Sequence, residues 1–300
     1  MYELAFLPAG DARRSGDAIV LRFDRPDTGG RVHVVVDAGY AGDGARLVVP
    51  QLRAWGAERI DLAILTHPDP DHVGGMAEVL EALPVAELWA HRPAAHGDRR
   101  SRASGRVERL VTVAKRRGVP VLEPWAGREA LGALRVLGPD RAYYDGLIAR
   151  GAPPVDRGPL VGAARWLWER LTLLAPGEVR FGDEEGVSHW NNGSTVLRLR
   201  LPGLRAVLTA DAGVPALERA WDGAPFDVVQ IPHHGSKRNA TSAVLDRVLG
   251  VVGQPPIRTA VVSVAPRSPK HPSPRVLRAW AGRGCVVRRT SGEAVVVRGE

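Results

Sequence analysis

The chain has 300 residues, 44% of them hydrophobic, and a formal charge of +8 at neutral pH. That length and apolar content can bury a large core, in one large domain or two small ones. A single cysteine, Cys285, excludes an internal disulfide and a cysteine-based metal cage, and no apolar run reaches the ~18 residues of a membrane-spanning helix.

The first element, Tyr2 to Leu7, reads as a strand, with no basic-then-apolar export signal before it, so a cytoplasmic protein is expected. Leu62-Ala63-Ile64-Leu65 is a second apolar strand. Directly after it comes Thr66-His67-Pro68-Asp69-Pro70-Asp71-His72-Val73-Gly74-Gly75, which packs two imidazoles and two carboxylates into six residues. Ligand-type side chains at that density, on a loop stiffened by two prolines, suit a hard or borderline divalent metal. Met76 to Leu83 reads as a helix, and Gly74 and Gly75 let it start close to the strand without a side chain in the way.

From His91 to Gly118 the chain turns basic, and Ser104 to Arg117 reads as an amphipathic helix with Val107, Leu110, Val111 and Ala114 inward. Arg141 to Glu178, with the apolar run Leu160 to Trp168, fits no element, and an insertion over a site or a protein-partner surface at 141–178 is expected there. Three later strands each end at a polar, metal-type residue. Arg205 to Thr209 leads to Asp211, Phe226 to Pro232 to His233 and His234, and Thr259 to Val264 towards His271. Ligands delivered repeatedly just past strand ends build one shared site along a sheet edge. Cys285 lies in the apolar strand Cys285-Val286-Val287 and reads as core. His33, His91, His96 and His189 lack such a setting and read as surface or packing residues.

The run from His67 resembles the HxHxDH metal signature of the metallo-β-lactamase fold, in the HxDxDHxGG variant of the hydrolase domain of ComEC-type DNA-uptake proteins and their stand-alone relatives. Further motifs follow in the family's order. They are Gly16-Asp17-Ala18-Ile19-Val20, Val34 to Gly39, Asn191 to Leu197, Leu208-Thr209-Ala210-Asp211, Pro232-His233-His234-Gly235-Ser236, and Ser263-Val264 with Lys270-His271-Pro272. The resemblance implies an α/β (α+β) fold, an αββα sandwich of two mixed sheets flanked by helices. It would fill residues 1–300 as a single domain, with a basic, irregular insertion around 91–185. A membrane channel is fused to the DNA-uptake relatives, and a transport role does not carry over with the hydrolase motifs.

The same resemblance implies two divalent ions, Zn2+ or Mn2+, held by His67, Asp69, Asp71, His72, Asp211 as the bridging carboxylate, and His233 as first choice of the histidine pair. Asp71, His234 and His271 are the expected catalytic groups, with His234 or His271 protonating a leaving oxygen or holding a phosphate oxygen. Asp69 supplies oxygen where the wider signature has imidazole, which makes the site harder and favours manganese or magnesium. Ala210 stands where relatives often have glycine, which is tolerable unless the backbone there needs a positive φ.

Positive charge crowds the expected site. Arg267, Lys270 and Arg275 bracket His271, Lys237 and Arg238 follow the histidine pair, and no acid occurs from Ala265 to Ser291. Ser236, Lys237, Lys270 and Arg267 are therefore the expected substrate-binding residues, for a phosphate ester and, given the net charge, for nucleic acid. A metal-dependent phosphodiesterase or nuclease is the leading function. A metallo-hydrolase of a small molecule (lactone, thioester, β-lactam or nucleotide) is the alternative, and a non-catalytic binding module is disfavoured by the intact ligand set. A serine triad at Ser236 and His234 lacks a nucleophile-elbow pattern.

Overall fold

The computed structural model describes residues 1–151, 187–224, 226–249 and 258–299. The apolar run Leu160 to Trp168, with most of the expected partner surface, lies outside them.

Fourteen strands among the described residues form two seven-stranded sheets. The first contains β1 (Tyr2–Phe6), β2 (Ala18–Asp24), β3 (Arg31–Ala38), β4 (Leu62–Leu65), β5 (Leu88–Ala90), β6 (Val121–Leu122) and β14 (Val295–Gly299), in the order β14-β1-β2-β3-β4-β5-β6. The second contains β7 (Glu129–Ala130), β8 (Leu134–Gly138), β9 (Val196–Leu201), β10 (Leu204–Leu208), β11 (Val228–Gln230), β12 (Arg258–Val262) and β13 (Cys285–Arg289), in the order β13-β12-β11-β10-β9-β8-β7. Each sheet is mixed. β14, β1, β2 and β3 pair antiparallel and β3 to β6 parallel, while β7 to β10 pair antiparallel and β10 to β13 parallel.

Strand alternation explains why the sheets stack. On β2 and β3, Ile19, Leu21, Phe23, Val34 and Val36 face the second sheet, where Leu134, Val136, Leu197, Leu199 and Leu208 meet them. The opposite faces carry Val20, Val35 and Ala63 against helices α1 (Val49–Ala54), α3 (Met76–Ala82) and α4 (Arg102–Arg116), through Leu52, Met76, Val79, Leu80, Val107 and Leu110. Between β4 and α3 lies the one-turn helix α2 (Pro70–Val73). The second sheet's outer face is covered in the same way by α7 (Val214–Ala220), α8 (Ser242–Leu249) and α9 (Pro274–Ala281), through Leu217, Leu245, Val276 and Trp280. The layers run helix, sheet, sheet, helix, as the sequence implied.

The basic helix begins two residues earlier than the sequence suggested, because Ser101 caps it by accepting the Ser104 amide at 3.0 Å. Val107, Leu110, Val111 and Ala114 are all buried. Of the stretch 91–185, the described part supplies α4, β6, β7, β8 and α5 (Arg141–Arg150), so its strands belong to both sheets. A one-turn helix, α6 (His189–Asn192), precedes β9. No helix among the described residues is long and apolar enough to cross a membrane.

Gly74 and Gly75 act as their sequence context predicts. A Cβ at Gly74 would stand 2.4 Å from the Ala41 amide nitrogen, and one at Gly75 2.3 Å from the Ala38 carbonyl oxygen. Only glycine lets the metal-type loop seat that tightly against the end of β3.

Candidate metal centre

Parallel strands β3, β4, β10, β11 and β12 all point their C-terminal ends at one place. Past β4 come Thr66 to His72, past β10 Asp211, past β11 His233 and His234, and past β12 Ser263. Asp17 enters just before β2, beside a register shift between Ala18 and Ile19. Its amide donates to the Asp71 carbonyl at 3.0 Å, tying the first motif to the metal-type loop.

The carboxylate of Asp211 is the hub. Its Oδ1 lies 3.4 Å from His72 Nε2, and its Oδ2 lies 3.7 Å from His67 Nε2 and 3.5 Å from His233 Nε2. On the Oδ1 side, His72 Nε2 is also 3.8 Å from Asp17 Oδ2, and His234 Nε2 is 3.2 Å from Asp71 Oδ2. On the Oδ2 side, His67 Nε2 is 3.7 Å from Asp69 Oδ2. Asp17, His72, Asp211 and His234 offer ligand atoms that all lie within 4.8 Å of one another, and all four are buried.

Each imidazole is oriented by a partner on its other nitrogen. His72 Nδ1 donates to Asp37 Oδ2 at 2.7 Å and His234 Nδ1 to the Ser263 carbonyl at 2.9 Å, acceptors that leave no other choice of proton. His67 Nδ1 meets Thr66 Oγ1 at 3.1 Å, and that hydroxyl gives its own proton to Asp37 Oδ2 at 2.6 Å. His233 Nδ1 meets Asn239 Oδ1 at 2.9 Å, while Asn239 Nδ2 donates to the Asp211 carbonyl at 2.8 Å. Four rings thus turn Nε2 inward, the arrangement by which outer partners fix metal-binding histidines.

Several of the inward atoms have no hydrogen bond of their own among the described residues. Both oxygens of Asp17, His67 Nε2, His72 Nε2 and Asp211 Oδ1 are buried without a hydrogen bond among the described residues. Orphaned buried acceptors of this kind are costly. Three of the six facing N···O separations, at 3.7–3.8 Å, are too long for hydrogen bonds, and all but the 3.2 Å His234–Asp71 contact lie close to the ~3.4 Å expected between two donors each ~2.1 Å from one ion. The donor set fits a divalent cation.

Electrostatics agree. Burial raises the Asp17 carboxyl pKa, whereas in Asp211 burial is outweighed by the His233, His72 and His67 charges and the pKa falls well below normal. Burial works to lower His234, but the Asp71 hydrogen bond and the Asp17 and Asp211 charges outweigh it and lift the pKa to about 9. His72 is likewise raised, against its burial, by Asp211 and Asp37. Protons sit where the carboxylates call for positive charge.

Several residues at this centre escaped the sequence reading. Asp17 and Asp37 lay inside recognised motifs without an assigned role, and their position at strand ends was the available signal. Gln230, a polar residue in an apolar strand, accepts the Thr209 and Ala210 amides at 3.0 and 2.9 Å and so shapes the turn presenting Asp211. Asn191 Nδ2 reaches Asp211 Oδ2 and His233 Nδ1, both at 3.3 Å. The backbone at Ala210 has φ 47°, so the methyl group occupies a conformation better suited to glycine; Asp37, His233 and His234 share it with φ 57°, 49° and 53°.

Of the other expected residues, both paired histidines face the centre, with His234 rather than His233 in the four-residue group. His271 lies beside His233 with ring centroids 5.4 Å apart and the planes tilted by 44°, makes no ring hydrogen bond among the described residues, and has its pKa pushed down to about 3 by burial and by the His233 and His234 charges. Ser236 is buried, and its Oγ accepts the Arg238 amide at 3.3 Å. Arg267 and Lys270 are exposed, and Lys237 is half-buried.

A family model described as the metallo-beta-lactamase superfamily matches residues 12–250. The chain belongs to that superfamily. Among curated relatives, ComE operon protein 3 of Bacillus subtilis is 22% identical over 257 residues, covering 84% of this chain and 26% of that protein. The uncharacterized protein YcaI of Escherichia coli is 30% identical over 98 residues, covering 31% of this chain and 12% of that protein. This metallo-β-lactamase chain therefore spans about a quarter or less of the length of either relative. A crystal structure of Zn2+-bound PqqB from Methylobacterium extorquens aligns over 99% of this chain and 100% of that one, with 12% identity and a TM-score of 0.49.

Proposed function

We propose that this metallo-β-lactamase hydrolase is a phosphodiesterase that cleaves nucleic acid with two divalent ions, Zn2+ or Mn2+. The observation that carries the reading is the placement of cations around a carboxylate with two engaged faces. Asp211 turns one oxygen to His72 and the other to His67 and His233. Arg106 on α4 touches the Asp69 loop, with Arg102 and Arg109 close enough to influence its charge. On the other flank, Lys270 acts on His271 and Arg267 is exposed nearby in sequence. Positive charge on both sides of a metal centre suits an anionic ester and the charge that develops in its transition state.

In this reading His67, Asp69, His233 and Asp211 Oδ2 hold one ion, and Asp17, Asp71, His72, His234 and Asp211 Oδ1 hold the other. Bound there, the ions would supply charge neutralisation and a nucleophile at neutral pH. The protein's own side chains do the rest. Asp37, Thr66, Ser263 and Asn239 keep the imidazoles aimed inward. With His234 committed to the donor set at both nitrogens, His271, neutral at working pH, is left to hold a phosphate oxygen through a ring N–H. Lys237, Lys270 and Arg267 would bind flanking phosphates, and Ser236 would hold the turn that carries the histidine pair.

The test is a panel of metals against substrates. Metal-free protein reloaded with Mn2+ should cleave oligonucleotides at least as fast as with Zn2+, because Asp69 supplies oxygen. Replacing Arg99, Arg100 and Arg102 with glutamine should weaken oligonucleotide binding and flatten its salt dependence by up to ~0.9 per lost phosphate contact. Hydrolysis of a nitrophenyl phosphodiester should be nearly unchanged. Turnover of a lactone or thioester, with no nucleic-acid cleavage under any metal, would move the assignment to a small-molecule hydrolase.

A further inference from the structure

The geometry points to Asp69 and Arg106 acting as one unit, which we propose presents the centre with a single oxygen donor carrying no net charge. The inference rests on the reading of His67, Asp69 and Asp211 as ligands of one ion, and it assigns Arg106 as a positioning residue.

Asp69 occupies the N-cap position of α2, where an aspartate side chain normally accepts a helix amide. Here it makes no such hydrogen bond. Its oxygens are divided instead: Oδ2 lies 3.7 Å from His67 Nε2, inside the centre, and Oδ1 lies 3.6 Å from Arg106 Nη2. Arg106 Nε donates to the Pro68 carbonyl at 2.6 Å, so the guanidinium grips the loop at the residue before Asp69. The grip is firm because α4 is locked into the core by Val107, Leu110, Val111 and Ala114. The Arg106 side chain is only 23% exposed, which limits solvent screening of the pair.

A lone carboxylate offers a metal two oxygens and a full negative charge, and it can bind through one or both. With the Arg106 guanidinium facing Oδ1 across 3.6 Å, Oδ2 is the oxygen turned to the centre, and the two side chains together carry no net charge. An imidazole offers the same thing, one donor and no charge. The pair thus behaves electrostatically as a neutral ligand built from two charged residues, and it keeps the Asp69 side of the centre from gathering further negative charge. An arginine suits the task because one nitrogen of its guanidinium hydrogen-bonds the Pro68 carbonyl while another faces the Asp69 carboxylate at ion-pair distance.

A double-mutant cycle read by metal titration tests this. Metal-free wild-type protein, Arg106→Gln, Asp69→His and the double variant are titrated with Zn2+ and Mn2+ by calorimetry, and with Co2+ by its absorption spectrum. Circular dichroism checks that each is folded, and Arg106→Lys, which keeps the charge but loses the fork, serves if Arg106→Gln is not. In Arg106→Gln the freed oxygen should raise cobalt coordination, weakening the visible bands, and shift the Mn2+ to Zn2+ affinity ratio upward by about tenfold. Arg106→Lys should shift both readouts the same way by less. Asp69→His alone strands a cation beside the ion and should weaken Zn2+ binding at least ~10-fold, whereas adding Arg106→Gln should recover it to within about threefold of wild type. Arg116→Gln, at the far end of the same helix and paired with Glu81, should change nothing. Additive effects in the cycle would overturn the pairing. So would an Arg106→Gln protein with unchanged metal binding that shows only a higher KM for oligonucleotides, since Arg106 would then read substrate. A wild-type chain that takes up no ion would overturn the metal centre itself and the pairing with it.

Discussion

Adjacent parallel strands β4 and β5 both end in histidine-rich chain, and only one end builds a metal-type centre. At the β4 end, the inward nitrogens of His67 and His72, joined by those of His233 and His234 from β11, face carboxylate oxygens mostly at 3.4–3.8 Å, with the opposite nitrogens pinned by outer partners. After β5, His91 is buried between Trp125 and Tyr144, with ring centroids 4.4 and 4.6 Å away, and neither of its nitrogens has a partner among the described residues. Burial and the neighbouring His96 push its pKa down to about 3. His96 does meet carboxylates, but at 2.5 Å for Asp145 and 2.9 Å for Glu123, which are closed contacts with no space for an ion. Histidine density therefore says little. What distinguishes the two ends is spacing: donors and acceptors held just beyond hydrogen-bond reach leave room for a cation, and those at contact distance do not.

Removing the hub gives the largest expected effect on this contrast. Asp211→Asn should lower metal affinity at least ~100-fold, beyond the range seen for outer partners, and abolish hydrolysis. His96→Gln should leave metal content at the wild-type level. Metal content measured by elemental analysis after dialysis checks both, and a metal-depleted His96→Gln protein would erase the distinction between the two ends.

Removing an outer partner comes next. Asp37→Ala deprives His72 Nδ1 and Thr66 Oγ1 of their acceptor, so metal affinity should fall by about 10–100-fold while the fold persists. An affinity equal to wild type would mean that His72 is not a ligand oriented through Asp37.

The aromatic end makes a pH prediction. His91 stays neutral in the folded state down to about pH 3, whereas unfolded chain takes up a proton below the ordinary histidine range near 6.5. Folding stability should therefore be unaffected above pH 6.5 and fall by up to ~1.4 kcal/mol per pH unit from this group as pH drops below it. Urea unfolding of His91→Phe from pH 7 to 5 should show a shallower loss than wild type, and an identical slope would contradict the buried, neutral assignment.

The smallest effect concerns strain. Ala210 carries φ 47° with its amide fixed by Gln230, so Ala210→Gly should raise stability by about 0.5–1 kcal/mol, strain relief exceeding the added chain entropy. Thermal unfolding measures it, and a loss of stability would mean that the turn is relaxed as it stands.

The contrast also shows what a sequence displays and what it hides. The gathering of His67 to His72 was legible because its metal-type residues are contiguous, and that of Asp211 and the histidine pair because a polar residue ending an apolar strand is a local signal. The sandwich was legible in the order of motifs, through the family they resemble. Asp37 reaches His72 across 35 residues, and Asn239 reaches the Asp211 carbonyl across 28, so only the folded chain brings them together. Arg106 was one arginine among many in a basic stretch, and nothing local marked it as the one turned towards Asp69. The strain at Ala210 was visible only as a condition, since the residue is unremarkable and its backbone angle is not.

The central claim is that Asp211 joins two ions, and anomalous diffraction from crystals grown with Mn2+ tests it most directly. Two peaks should appear ~3.5–4 Å apart, one facing His67 and His233 and the other facing His72 and His234, each within bonding distance of a different Asp211 oxygen. A single peak, or two peaks that leave either Asp211 oxygen unbound, would contradict it.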